Sequence, residues 1–244
     1  SAVIAYRLAR LINCPVVATG KEDYVSDGTR VFAVPHGHPI MTAVTGTGCL
    51  LGAVLAAFFS AYYPCKDSLN IGEFLAYALA YYGLAGESAV QVSGVKPGSF
   101  STAFMDALYS LDDAVLKSEN RIRPVVVPDQ LQVYFISGTQ DVELNENRLL
   151  SIVEDACRGG VTCFQFREKG MGTLEGQQKL ELAQQLQQIC AKYNVLYIIN
   201  DDVDLAMAVN ADGVHVGQED MRLEEVRNLV GHKVIGISIH SVEE

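Results

Sequence analysis

The chain has no C-x-x-C pair, no basic excess, no G-x-G-x-x-G turn and no apolar run long enough to span a bilayer. Each absence removes a class of function. Six cysteines stand at positions 14, 49, 65, 157, 163 and 190 without paired spacing, which argues against a zinc site or a disulfide framework and makes a reducing cytoplasm the default. Eighteen lysines and arginines face 29 aspartates and glutamates, and a formal net charge of −11 argues against non-specific nucleic-acid binding. The most apolar stretch, Leu50 to Phe59, has the length of a buried helix, so no membrane span is expected, and no signal-peptide pattern is visible. The missing glycine fingerprint counts against a dinucleotide fold. Any phosphate site must therefore be a local positive pocket in an acidic body.

What is present is an ordinary globular composition, 49% hydrophobic and 19% charged over 244 residues, enough for one large domain or two small ones. The chain opens inside a predicted helix, Ser1 to Leu11, and closes just past a predicted strand. Both ends are expected to be cut ends of a longer protein. Pro15 to Gly20 predicts a short strand, Tyr24 to Gly28 a turn and Thr29 to Val34 a second strand, together a hairpin. Val44-Thr45-Gly46-Thr47-Gly48-Cys49 then runs into an apolar helix, Leu50 to Ala61. A glycine-rich turn that opens a helix aims several backbone N–H groups at one point with the helix dipole behind them, which makes an anion hole. Tight packing is the plain alternative. Cys49, at the helix start, reads as a functional thiol or as a buried packing residue. His36 and His38 have no third ligand nearby and read as loop histidines. Further helices are predicted at Ile71 to Val90 and, after a break at Pro97-Gly98-Ser99, at Phe100 to Leu116.

Ala18-Thr19-Gly20-Lys21-Glu22-Asp23-Tyr24-Val25-Ser26-Asp27-Gly28, then Gly37-His38-Pro39, then Val44 to Gly52, with Pro97-Gly98-Ser99-Phe100 and Asp106-Ala107-Leu108-Tyr109, resemble the C-terminal part of hydroxyethylthiazole kinase. The resemblance covers residues 1 to 116 and implies a partial ribokinase-like α/β domain whose glycine turn stabilises the transferring phosphoryl group. It implies that Cys49 stands at the catalytic-base position, that Gly46 contacts substrate and that Thr19 contacts ATP, the co-substrate. That family is trimeric, so a homo-oligomer is expected. The family's N-terminal half, with most of the thiazole pocket, has no counterpart in these residues.

Residues 117–130 change character, with charges, Arg123-Pro124, three valines and Pro128-Asp129-Gln130, and are read as a linker. From Leu131 strands alternate with helices. Strands are predicted at Val133 to Ser137, Cys163 to Arg167, Leu196 to Ile199, Gly213 to Val216 and Val234 to Ile239. Helices are predicted at Asn147 to Arg158, Leu174 to Tyr193, Val203 to Val209 and Leu223 to Val230. That rhythm means parallel βα units, with a barrel ahead of a doubly wound sheet because the helix before Asn210 is short.

Polar residues collect where these strands end, the place where barrels keep their active sites. Along Val161 to Lys169, alternation puts Gln165, Arg167 and Lys169 on one face and Phe164 and Phe166 on the other. Arg grips two oxygens in a fork, Lys acts as a point charge and the amide fixes orientation, a set suited to a polyphosphate. Later strand ends carry Asn200 and Asp201, then Gln218, Glu219 and Asp220, then Ser238 and His240. A hard divalent cation beside a polyphosphate takes one or two carboxylates plus phosphate oxygens, which Asp201 and Asp220 could supply. Both could instead cap the next helices, although Asp202 and Asp204 suit the cap and surface roles better.

Gly159-Gly160-Val161-Thr162, Gln165 to Lys169, Ile199-Asn200-Asp201, Asp204-Leu205-Ala206, Ala211 to Met221 and Ile235-Gly236-Ile237-Ser238 resemble thiamine-phosphate synthase over residues 131 to 244. The resemblance implies a partial (β/α)8 TIM barrel that joins 4-amino-2-methyl-5-pyrimidinylmethyl diphosphate to hydroxyethylthiazole phosphate and releases pyrophosphate. It implies that Gln165, Phe166, Arg167, Glu168, Lys169 and Asn200 bind the pyrimidine diphosphate, that Asp201 and Asp220 hold Mg²⁺ and that Ser238 contacts pyrophosphate. Arg167 and Lys169 then carry the catalytic task of stabilising the leaving pyrophosphate. The family's later lysine and thiazole-phosphate loops have no counterpart here. The chain is read as an internal piece of a kinase–synthase fusion, with an inert Mg²⁺-pyrophosphate binder or structural segment as the second reading. A third reading is an enzyme for some other phosphate on a barrel.

Overall fold

Two aspartates shape the first strands in the computed structural model, which describes residues 1–62, 70–217, 221–231 and 233–239. Asp23 Oδ1 accepts the Gly20 N–H at 2.8 Å, and Asp27 Oδ1 accepts the N–H groups of Thr29 and Arg30 at 2.8 and 2.7 Å. Gly28, between these last contacts, takes φ +90, which its missing Cβ permits. The two side-chain-locked turns separate β1 (Val16–Ala18), β2 (Asp23–Ser26) and β3 (Val31–Val34), paired antiparallel in that order. The expected hairpin is therefore a three-stranded meander. Residues 24–26, read as turn, form a strand because the turns need only the few residues beside each aspartate.

The chain divides into two compact units, Ser1–Val125 and Val126–Glu244. In the first, α1 (Ala2–Ile12) precedes the meander, and α2 (Thr47–Tyr62), α3 (Ile71–Ser93), α4 (Pro97–Ser110) and α5 (Asp113–Ser118) follow it. The Asn70 side chain caps α3 by accepting the Glu73 N–H at 3.0 Å. Pro97 begins α4, where its missing N–H costs nothing, rather than standing in a break before it. The expected continuous helix from Phe100 to Leu116 is two helices, since Leu111 is extended and Asp112 caps α5 through the Val115 N–H. Residues 117–130, read as linker, include β4 (Arg123–Pro124), which pairs with β3. Val25, Phe32 and Val34 of the sheet pack with Leu75, Leu79 and Tyr82 of α3 and Phe100 and Phe104 of α4.

The second unit is a parallel α/β sheet whose strands lie side by side in chain order. They are β5 (Tyr134–Ser137), β6 (Cys163–Phe166), β7 (Leu196–Asn200), β8 (Gly213–Val216) and β9 (Val234–Ile237). Between them run α6 (Glu146–Arg158), α7 (Gly176–Lys192), α8 (Val203–Ala208) and α9 (Leu223–Val230). A doubly wound sheet reverses strand order at a switch point, and no reversal occurs among the described strands. All four helices pack on one face. Leu149, Val153, Leu182, Leu186, Val203, Val226 and Val230 join one cluster with Phe164, Phe166, Tyr197, Ile199, Val214 and Val216. Fully burying a side chain of this size stabilises by about 1.5–3 kcal/mol, so this face supplies most of the unit's hydrophobic stabilisation. The opposite face carries the smaller cluster Cys163, Leu196 and Ile198, with polar residues beside it. No helix among the described residues is long and apolar enough to cross a membrane.

Candidate functional site

Strand register brings the polar residues of the second unit together. Gln165 of β6 lies opposite Ile198 of β7, and Asn200 of β7 lies opposite His215 of β8, all on the face away from the helices. Gln165 is 3% exposed and donates through Nε2 to the Tyr134 hydroxyl at 3.3 Å, so this buried amide is anchored. Burial lifts the Tyr134 phenol well above its ordinary range, and its Cys163 neighbour adds to the rise. Burial likewise pushes the Cys163 thiol up to about 12.

The β6 ladder stops at Phe166, earlier than expected, so Gln165, Arg167 and Lys169 do not share one strand face. Only Gln165 belongs to the strand. The Phe166 ring is 1% exposed within the helix-side core, which leaves only its main chain for a ligand. Arg167 is exposed, and its guanidinium has no partner among the described residues, while its N–H donates to the Ser137 carbonyl at 3.0 Å. Lys169 reaches across to Asp201, Nζ to Oδ2, at 2.9 Å. The Glu168 carboxylate points elsewhere. It accepts the Thr139 N–H at 2.9 Å, the Thr139 hydroxyl, and the Leu174 N–H at 3.0 Å.

At the end of β7, Asp201 holds a left-handed φ of +61 and gives its N–H to the His215 carbonyl at 2.8 Å. It does not cap α8. Asp202 does, accepting the Leu205 N–H at 2.9 Å while its other oxygen takes Lys179 at 2.7 Å. Burial opposes the Asp202 charge, but those two partners hold its carboxyl below the ordinary value. Asp204 is exposed. At β9, Ser238 meets His215 Nε2 at 2.9 Å, and Gly236 leaves room for the imidazole, since a Cβ there would stand 2.5 Å from His215 Nδ1. Sequence reasoning missed His215 and Tyr134 as neighbours of the site. Their signal was alternation, which places both on the same face as Gln165 and Asn200. Gln218, Glu219, Asp220 and His240 lie outside the described residues. The structure thus gathers Gln165, Arg167, Lys169, Asn200, Asp201 and Ser238 around adjacent strand ends.

In the first unit a cavity of about 570 Å³ is lined by Thr19, Lys21, Asp23, His38, Thr42, Thr47 and Gly48, among others. It brings Thr19 to the start of α2, whose first-turn N–H groups have no intrahelical acceptor. Gly46, with φ +98 and open space where a Cβ would stand, turns the chain into that helix. The Thr47 hydroxyl donates to the Met41 carbonyl at 2.7 Å, and the Tyr82 hydroxyl donates to the Thr47 carbonyl at 2.6 Å, so the turn is fastened on two sides. Cys49 is exposed and is not the buried packing thiol of the plain reading; neither it nor Gly46 lines the cavity. The His36 side chain is buried between Glu87 and Arg121, and His38 caps the next turn through the Ile40 N–H.

Comparison with known proteins divides the chain at the same place. Residues 2–114 match the Hydroxyethylthiazole kinase family, and residues 133–244 match the family described as Thiamine monophosphate synthase. The "Thiamine biosynthesis bifunctional protein ThiM/ThiE" of Symbiobacterium thermophilum is 36% identical over 98% of this chain and 48% of its own length. "Thiamine-phosphate synthase 1" of Streptococcus pneumoniae is 54% identical over 47% of this chain and 54% of its own length. A solved hydroxyethylthiazole kinase from Pyrococcus horikoshii is similar at 34% identity and a TM-score of 0.46, covering 51% of this chain and 46% of its own. The chain spans about half the length of the curated relatives it matches. A segment similar to the hydroxyethylthiazole kinase family and a segment similar to the thiamine monophosphate synthase family thus stand in one polypeptide, as they do in the Symbiobacterium relative.

Proposed function

We propose that the second unit carries the diphosphate and magnesium half of a thiamine-phosphate synthase site, in a protein that also contains a hydroxyethylthiazole kinase and serves thiamine biosynthesis. The observation that carries this reading is the meeting of Lys169 and Asp201 across two strand ends, two residues past an exposed Arg167 whose guanidinium has no partner among the described residues. The reaction joins the pyrimidine methyl diphosphate to hydroxyethylthiazole phosphate. Its difficult step is ionisation of the C–O bond, so charge building on the departing pyrophosphate is what the site must stabilise. Arg167 would grip two phosphate oxygens and Lys169 would neutralise a third, while Gln165, Asn200 and Ser238 orient the substrate by hydrogen bonds. Glu168 and Phe166 would serve that site through the backbone and loop they hold.

The residues suit Mg²⁺: Asp201 presents a carboxylate at the strand end, a hard oxygen donor now paired with Lys169, and phosphate oxygens, waters and Asp220 would complete such a shell. Bound there, Mg²⁺ would add positive charge at the leaving group. In the first unit, Thr19 and the glycine turn would meet ATP, with Gly46 near substrate and Cys49 as the base. Cysteine usage and phosphorylated small-molecule substrates support a cytoplasmic setting, and the sequential strand order supports a barrel in the whole protein. Homo-oligomer formation rests on the kinase resemblance.

The test is pyrophosphate release from pyrimidine diphosphate, thiazole phosphate and Mg²⁺ by the full-length parent, with Arg167→Ala and Asp201→Asn. Each charge-assisted contact contributes about 1.5–3 kcal/mol, so each variant should lose roughly ten- to hundredfold. Unchanged rates would sink the reading. For the 244-residue chain a second reading stands: it binds Mg²⁺-pyrophosphate without turnover. The observation favouring it is that β5 and β9 are sheet edges among the described strands, with Ile136 and Ile237 exposed. Turnover by this chain would exclude it.

A further inference from the structure

We infer that Glu168 is a positioning residue, whose carboxylate fastens the loop carrying Arg167 and Lys169 and does not itself touch the ligand. This rests on the diphosphate reading above and goes against the expectation that Glu168 binds substrate. One carboxylate ties its own strand end to two other points of the fold, Thr139 and Leu174. Oε2 accepts the Thr139 N–H, and Oε1 accepts both the Thr139 hydroxyl and the Leu174 N–H. Thr139 lies in the turn after β5 and is 1% exposed, so the anchor is buried. Leu174 stands at the far end of the loop, just before α7. Three donors on two oxygens use most of what a carboxylate accepts.

The turn after β5 also grips the preceding residue. Arg167 gives its N–H to the Ser137 carbonyl at 3.0 Å, and its own carbonyl accepts Gln140 Nε2 at 2.8 Å. Gly138 passes so close that a methyl there would overlap the Arg167 carbonyl. The main chain is therefore fixed at Arg167, immediately before Glu168, while the two neighbouring cations are exposed. Beyond it the loop contains Gly170 at φ +130 and Gly172 at +79. Such a stretch has wide conformational freedom, and the bond from Leu174 back to Glu168 closes it. A carboxylate facing an anionic diphosphate would repel it. Turned toward Thr139, the same carboxylate sets the cations without that penalty.

The experiment measures hydrogen exchange at the Thr139 and Leu174 amides and the affinity for Mg²⁺-pyrophosphate on the 244-residue chain. It compares wild type with Glu168→Gln, Glu168→Ala, Thr139→Ala, Arg167→Ala and the double variant Glu168→Ala/Arg167→Ala. Glu168→Ala should speed exchange at both amides and weaken pyrophosphate binding, each by about tenfold. Glu168→Gln, which keeps one acceptor oxygen, should fall between. Thr139→Ala, whose side chain is buried away from the ligand, should weaken binding in the same direction and carries the test with Glu168→Gln if Glu168→Ala does not fold. The double variant should lose less than the sum of its parts, because the clamp acts through Arg167. Lost affinity with both amides still protected would overturn the proposal, since Glu168 would then act on the ligand directly. Faster exchange with unchanged affinity would also overturn it. A wild-type chain that ignores pyrophosphate contradicts the diphosphate reading itself, and that titration is separate from every variant.

Discussion

The two units bury their helices in different ways. In the second, each of α6 to α9 sends an apolar stripe into one cluster on one sheet face. In the first, α2 has sixteen residues, nearly all apolar, and fully buries only Leu51. The difference lies in how each architecture positions a site. A parallel βα unit ends every strand on the same side, so neighbouring strand ends bring Gln165, Asn200, Asp201 and Ser238 together by register alone. The first unit has an antiparallel meander and helices, and its glycine turn depends on what packs around α2.

Thiol reactivity gives the largest contrast. The Cys163 thiol, pushed up to about 12, holds roughly a thousandfold less thiolate at pH 8 than an ordinary one near 8.5, whereas Cys14 and Cys49 are exposed. Native alkylation followed by mass spectrometry should modify Cys14 and Cys49 and spare Cys163 and Cys190. Rapid labelling of Cys163 would show that the face away from the helices is open.

Next in size is Phe164→Ala. The ring is fully buried and stacks on Tyr197 at 6.0 Å, so truncation should cost about 3–5 kcal/mol. Hydrogen exchange of the β6 and β7 amides reads that loss, with β2 and β3 as the internal reference. Equal loosening of both sheets would break the contrast between separate cores.

The Asp202 cap is worth less. Asp202→Ala should remove about 1 kcal/mol, measured by urea unfolding. Because the folded Asp202 pKa is lowered, its contribution is present above the ordinary carboxylate range and is lost as pH falls through the folded value. Asp201→Asn, which still suits the left-handed φ of +61, should leave stability nearly unchanged, which separates the capping residue from the candidate metal ligand.

The smallest effect belongs to His36. Burial lowers its pKa, Arg121 lowers it further and Glu87 partly opposes them. The fold therefore favours the neutral ring. The unfolded chain takes up the proton first as pH falls through the ordinary histidine range, so stability declines toward acid. A Tm series from pH 8 to 5 should show a shallower slope in His36→Gln than in wild type; identical slopes would remove His36 from the account.

Much of the second unit was legible in the sequence. Period-two alternation at Cys163 to Phe166 and the strand–helix rhythm follow from local patterning, and so does the cap at Asp202. The misses involve partners far apart in the chain. Glu168 is a ligand contact by resemblance alone; that its carboxylate accepts the Thr139 N–H, 29 residues earlier, is a bond that no local pattern encodes. Lys169 was placed on a strand that ends three residues before it. In the first unit, residues 24–26 were read as a turn because Asp and Gly surround them, yet Asp23 and Asp27 close the turns on either side. The exposure of Cys49 was also not readable from its apolar neighbours.

The central claim is that diphosphate recognition belongs to the strand ends of the second unit and not to the glycine turn of the first. The most direct measurement is an amide chemical-shift map of the chain titrated with Mg²⁺-pyrophosphate. The account predicts shifts centred on Gln165, Arg167, Lys169, Asn200, Asp201 and Ser238, reduced by Arg167→Ala, with Thr19 and Gly46 to Cys49 unmoved. Shifts centred on Thr19 and Gly46 to Cys49, with the second unit silent, would contradict it.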